Sequence, residues 1–148
     1  MLIYRERLFP GPWIFVMSAL VIPAALLVFL PINFQLGIWC AAILYVAIVI
    51  LLIIGSPRIE VTETSLVAGR ATLPLANVGD ATGYLGREAT AERGPLLDAR
   101  AWLVIRGWIS PVVKVMVDDE SDPAPYWLVS TRNPSELVAA LSKARTHA

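Results

Sequence analysis

Two apolar runs, Trp13–Leu30 and Leu36–Ile54, stand near the start of the chain, and neither carries a polar stripe on any helical face. As helices they would reach ~27–29 Å, close to the ~30 Å hydrocarbon thickness of a bilayer. A surface helix would show a polar face, and the remaining chain is too short to bury two such rods, so the pattern predicts two membrane spans, about 13–30 and 36–54. Pro31–Gln35 between them is short enough to force antiparallel neighbours, hence a hairpin with both ends on one side. Pro12 suits a first helical turn, whereas Pro23 falls mid-span, removes a backbone donor and predicts a kink. Trp13 and Trp39 sit where interfacial anchors belong, and Gly37 with Ala41 forms a small-xxx-small pair that permits close helix approach.

From Arg58 the period shortens. Ile59 and Val61, then Leu66–Val67, flank Thr62–Ser65 and predict a hairpin of two short strands. Gly69–Arg70 makes a second turn before Ala71–Leu75, whose Pro74 marks an edge. Asn77–Gly94 is rich in Gly, Ala, Thr and charge and reads as loop with at most one short strand. Ala101–Ile109 alternates, with Trp102, Val104, Arg106 and Trp108 on one face, and Gly107 suggests a bend. Val112–Val117 and Tyr126–Ser130 predict further strands. The end is helical, about 134–145: Asn133 is a natural N-cap, Pro134 suits the first position, Glu136 stands where a capping-box partner belongs, and Leu137, Ala140, Leu141 and Ala144 form one apolar stripe. The expected fold is a membrane α-helical hairpin (1–57) followed by a small α+β domain (58–148). Its strands and closing helix resemble the pleckstrin-homology-like (PH-like) architecture, a bent sheet or partial barrel plugged by a C-terminal helix.

Charge sharpens this division. The chain has 148 residues, 57% of them apolar, a mean hydropathy of +0.65, and 12 basic against 12 acidic residues. No Asp, Glu, Lys or Arg occurs between Arg7 and Arg58, and the segment from Arg58 onward is close to neutral. These facts exclude a soluble globule, a disordered chain and a nucleic-acid binder resting on bulk positive charge. Arg5, Arg7, Arg58 and Arg70 flank the outer ends of the spans and the connecting loop carries no charge, so the positive-inside rule puts both termini in the cytoplasm. Cys40, the only cysteine, lies within the second span and says nothing of redox compartment. The absence of a charged residue at membrane depth disfavours transport or conduction and favours an anchor.

Three stretches carry a resemblance: YRERLFPGPW at Tyr4–Trp13, ARAWLVIRGWI at Ala99–Ile109, and VDDESDPAPYWLVSTRNPSELVAAL at Val117–Leu141. They resemble a domain-of-unknown-function family of small actinobacterial membrane proteins, each with two spans and a cytoplasmic tail. Val61–Val78 is similar to the opening of bacterial PH-like domains that follow paired spans. The resemblance implies an inner-membrane location and an actinobacterial source, and it brings no activity and no catalytic residues.

Candidate chemistry is sparse. Asp118, Asp119, Glu120 and Asp122 offer oxygen ligands for Ca²⁺ or Mg²⁺, but they lack the EF-hand Gly and terminal Glu and are stiffened by Pro123 and Pro125, so a solvated turn is expected. Arg106, Trp108, Lys114, Tyr126, Trp127 and Arg132 fall near strand segments that can neighbour one another, and such aromatic and arginine clusters mark interaction hot spots. Of these, Trp127 is also a core candidate. The Thr62–Ser65 turn lacks the basic residues that head-group recognition by a PH-like fold uses, and near-zero net charge disfavours anionic lipid. His147, the only histidine, is too close to the end to be held for a triad with Ser110 or Ser130. No P-loop, Rossmann glycine pattern, CxxC or HExxH occurs, so no cofactor, no metal site and no catalytic residue is expected. The expectation is a non-enzymatic integral protein of a bacterial plasma membrane. It presents a cytoplasmic interaction module to the bilayer and to another membrane protein or a second copy of itself; the alternative is a membrane-tethered lipid- or small-ligand-binding domain.

Overall fold

The computed structural model describes residues 1–147, with the side chain of His147 outside the described part. The first strand of the chain belongs to its last domain. β1 (Leu2–Arg7) lies antiparallel to β2 (Arg58–Thr62), with Arg5 opposite Glu60 and Arg7 opposite Arg58. The chain therefore forms two units: Met1–Leu8 together with everything from Pro57, and Phe9–Ser56 between them. The expected boundary at 57/58 misses this strand. LIYRER pairs with residues more than fifty positions away, so no local pattern reveals it.

The inserted unit is a helical hairpin. α1 (Pro12–Ser18) and α2 (Val21–Phe29) are parts of one rod interrupted at Ala19–Leu20, where Leu20 N–H bonds to Met17 O (3.2 Å) and Ile22 N–H to Ala19 O (3.0 Å). Pro23 supplies no N–H to the Ala19 carbonyl and its ring crowds that oxygen, so the ladder tightens one turn before the proline. The kink expected at Pro23 thus falls at residues 19–20. α3 (Phe34–Ile54) starts at Asn33, whose side chain accepts from Leu36 N–H (3.2 Å). Within α3 only Gly37 and Ala41 are buried, and α2 buries only Ala25. A Cβ at position 37 would stand 3.0 Å from Phe29 Cβ, so the small pair is where the two rods meet. The other faces are open: only 6% and 11% of the two helical stretches are buried, and both are long and apolar enough to cross a membrane.

The second unit is α+β. β1, β2, β3 (Ser65–Ala68) and β4 (Ala71–Pro74) form an antiparallel meander, and Gly69 takes φ +67° in the β3–β4 turn, which a side chain would strain. A 3₁₀ turn at Leu75–Asn77 carries the chain to the second sheet, ordered β5 (Val78–Tyr84), β7 (Val112–Val117), β8 (Tyr126–Ser130), β6 (Trp102–Val104). The two sheets do not pair edge to edge among the described residues, so no closed barrel forms. Their inner faces share one core: Ile59, Val61, Leu66 and Leu73 from the first, Val113, Val115, Trp127 and Val129 from the second. α5 (Pro134–His147) adds Leu137, Ala140, Leu141 and Ala144, the stripe expected from the sequence.

Two expectations are corrected here. Asn77–Gly94, read as loop with at most one short strand, holds a seven-residue strand, β5, and a helix, α4 (Gly86–Arg93). β5 is an edge strand that buries little beyond Val78, and α4 buries only Ala89 and Glu92, so neither leaves an apolar period to read. The strand expected over 101–109 stops at Val104, because Arg106–Ile109 closes a turn (Ile109 N–H to Arg106 O, 3.0 Å) and sends Trp108 toward β1.

Leu8 N–H bonds to Pro57 O (3.0 Å), so the points where the chain leaves and re-enters the domain are adjacent. Replacing residues 9–56 by a short Gly/Ser bridge is expected to give a soluble protein with a cooperative thermal transition and dispersed amide resonances. Residues 58–148 alone, lacking β1, are expected to show neither.

Candidate interaction surface

Alternation on the second sheet separates the six candidate residues. Val113, Val115, Trp127 and Val129 face the shared core, while Lys114, Tyr126 and Leu128 face outward. Trp127 is buried and packs on half-exposed Trp102 at 6.1 Å between ring centres, tilted by 44°. Lys114 and Tyr126 do meet: the Lys114 ammonium stands 4.3 Å from the centre of the Tyr126 ring. Trp108 donates its indole N–H to Leu8 O (3.2 Å). The backbone N–H of Arg106 reaches Ser130 Oγ (3.1 Å), and that of Arg132 reaches Glu6 Oε1 (2.9 Å). The structure thus unites Lys114 and Tyr126, puts Trp127 in the core, and sets Arg106, Trp108 and Arg132 at the rim beside β1, so the six do not compose one exposed patch.

The outward face around Lys114 is itself covered. α4 and the segment behind it build a second small core from Ala89, Val112, Tyr126 and Leu128, with Tyr84, Leu97 and Ala101 packed around it. Glu92, buried on α4, receives a 3.0 Å hydrogen bond from Lys114 Nζ. Burial pulls the lysine down, but the hydrogen bond and charge of Glu92 outweigh it and hold the ammonium above the usual lysine range. Tyr126 Oη accepts from Asp98 N–H (2.7 Å), which pins the returning segment. Glu92 escapes sequence reading because GREATAER is polar on all sides.

A second polar node also went unforeseen. Glu6 on β1 is only 11% exposed in its side chain, and its carboxylate accepts from Tyr4 Oη (2.9 Å), Thr131 Oγ1 (2.5 Å) and Arg132 N–H. Thr131 is fully buried and its Oγ1 also accepts from Asn133 N–H (3.1 Å), at the entry to α5. Burial, together with the neighbouring Glu6 charge, pushes the Tyr4 phenol up to about 12. The only foretelling signal was that alternation in LIYRER puts Tyr4 and Glu6 on one face.

The acidic turn is occupied with itself. Asp119 accepts from Ser121 N–H (2.9 Å) and Oγ (2.6 Å) and from Asn77 Nδ2 (2.8 Å), and Asp122 accepts from Ala124 N–H (2.8 Å). The Ser121 bonds hold the Asp119 carboxyl below its ordinary range. Among the described residues no group of three or more His, Cys, Asp or Glu is arranged to hold a metal ion. A shallow groove of about 370 Å³ runs between β5 and α5, crossed by Arg145, which donates to Gly79 O (2.9 Å) and approaches Asp80 (3.7 Å).

These features define a two-sheet α+β domain, capped by a helix and interrupted after its first strand by an apolar hairpin, with buried polar nodes that are internally satisfied. The family model described as "Protein of unknown function (DUF3093)" matches residues 3–141, and the chain belongs to that family. No curated protein and no solved structure matches it.

The nodes make two tests. Because the folded Tyr4 phenol ionises near 12 against about 10 in an unfolded chain, the unfolded state sheds its proton first as pH rises. The contribution of Tyr4 to stability is complete below pH 10 and lost between 10 and 12. An ultraviolet difference titration against Tyr4→Phe is expected to show this late phenol, and Glu6→Gln to lower it. At the other node, Glu92→Ala strands the Lys114 ammonium and is expected to cost about 1–3 kcal/mol, allowing for partial solvent access. Combining Glu92→Leu with Lys114→Met is expected to recover most of that loss in a denaturant double-mutant cycle.

Proposed function

We propose that this chain is a non-enzymatic, membrane-anchored protein whose hairpin holds a PH-like interaction module at the cytoplasmic face of a bacterial plasma membrane, in keeping with the actinobacterial source that the sequence resemblance implies. The observation that carries the proposal is the pair of apolar helices left almost wholly uncovered: with 6% and 11% of them buried, they do not resemble core helices of a soluble fold, and lipid is the solvent that fits their surface. Paired termini support the same-side topology, because β1 and β2 are hydrogen-bonded neighbours and the segments flanking the hairpin end together. The arginines beside those segments favour the cytoplasmic side. A four-stranded meander, then the β5–β7–β8 meander, then a closing helix is the order expected of a PH-like module, with β6 and α4 as additions between β5 and β7.

An interaction role is favoured over chemistry by what the polar residues do. Glu6 and Glu92, the carboxylates most deeply placed, are each spent on internal donors. The partner is another membrane-associated protein or a second copy of the chain.

The chain is expected in the carbonate-washed membrane fraction, with tags on both termini shielded from protease in intact cells and cleaved after permeabilisation. Purification in mild detergent is expected to return one reproducible partner or a defined oligomer. A carbonate-soluble chain, terminal cleavage from outside, or a monomer without partners would each overturn the corresponding part.

A further inference from the structure

The second unit is neutral in sum but not in distribution. Where the chain departs for the hairpin, Arg7 stands directly opposite Arg58 across the β1–β2 ladder. Gly69 N–H bonds to Arg58 O (2.9 Å), which draws the β3–β4 turn and its Arg70 to the same edge. Trp108 bonds to Leu8 O and brings the Arg106 loop to this end as well, and Arg132 arrives through its bond to Glu6. The opposite end of the strands is acidic. Glu63 N–H bonds to Met1 O (3.2 Å), Leu75 N–H to Thr64 O (3.0 Å), and Asp118 N–H to Asn77 O (2.8 Å), so Glu63 gathers there with Asp118, Asp119, Glu120 and Asp122. At ~3.3 Å per residue the two ends are about 17 Å apart along a five-residue strand.

We propose that the arginine end is a binding site for anionic phospholipid head groups, with Arg58 and Arg70 as its exposed contacts and the phosphodiester as the group recognised. It rests on the membrane assignment proposed above. Arg58 and Arg70 are exposed and form no ion pair among the described residues, while the nearby Glu60 is occupied by Arg5 at 3.1 Å. Chain length supplies the location. Only Leu8–Gly11 separate Arg7 from α1 and only Gly55–Pro57 separate α3 from Arg58, so neither arginine can lie more than about 18 Å from the end of a span. That tether holds both near the polar head-group layer, about 5–8 Å thick on each face. Net charge, which argues against lipid attraction, hides this polarity.

The test uses the full chain in nanodiscs and in mild detergent, with phosphatidylglycerol and phosphatidylcholine as probes and co-purifying lipid counted by mass spectrometry. Wild-type protein is expected to retain phosphatidylglycerol over phosphatidylcholine. Each arginine near an anionic surface is worth roughly fivefold, so Arg58→Gln with Arg70→Gln is expected to lower that preference by about 25-fold. Arg58→Lys with Arg70→Lys is expected to keep most of it, and Arg87→Gln, on exposed α4, all of it. Equal retention of the two lipids by wild type, or an unchanged preference in the double Gln variant, would overturn the site. Displacement of the lipid by millimolar inorganic phosphate would assign the arginine site to free phosphate and overturn the lipid assignment. Carbonate extraction of the same proteins separates the two levels. An integral chain with no arginine-dependent lipid preference refutes the head-group site alone, whereas a chain washed from the membrane refutes the anchor.

Discussion

The pairing of β1 with β2 is the constraint on which the remaining structure hangs. Two adjacent strands of one sheet are separated by the entire apolar hairpin, so the domain closes only when residues before and after the hairpin lie on the same side of it. Any odd number of crossings between them would forbid the sheet. The fold therefore carries its own topological requirement, independent of charge counting, and both favour the same arrangement. Loss of β1 would remove more than an edge, because Glu6 on this strand and the carbonyl of Leu8 just after it hold Thr131, Arg132 and Trp108 in place.

Polar groups in the domain are used to join elements that hydrophobic contact alone would leave loosely defined. Glu6 links the first strand to the entry of the last helix, and Glu92 links a helix with little apolar surface to the sheet beneath it. Both carboxylates are met by donors, which is the condition for burying charge at tolerable cost. The hairpin follows the opposite rule. Its contact is made where Gly37 meets Leu26 and Phe29, with Ala41 and Ala25 also buried, and most of its other bulky residues are exposed.

Much of this was legible in the sequence because it depends on local period. The two apolar runs, the Thr62–Ser65 hairpin, strands β7 and β8 and the α5 stripe follow from repeats of 3.6 or 2. What was hidden depends on distance or on weak burial. β1 has its partner beyond the hairpin, β5 lies at an edge with two glycines, and α4 contacts the sheet through one alanine and one glutamate. For the site, alternation along AWLVIRGWI pointed to a shared face for Arg106 and Trp108, but the chain turns after Val104 and sends them to the rim. Charge order is hidden for a similar reason: a sum over the tail discards the register that sets Arg7 opposite Arg58.

The Glu6 node has a consequence for vectorial synthesis. Its carboxylate leaves the ribosome 125 residues ahead of Thr131 and 126 ahead of Arg132. In the interval the hairpin can insert and pair, and this shortens the effective loop that β1 must close to find β2. A nascent chain truncated before residue 131 would hold an early acidic side chain without its late donors. Locking of the domain thereby waits for the synthesis of residues 131–132.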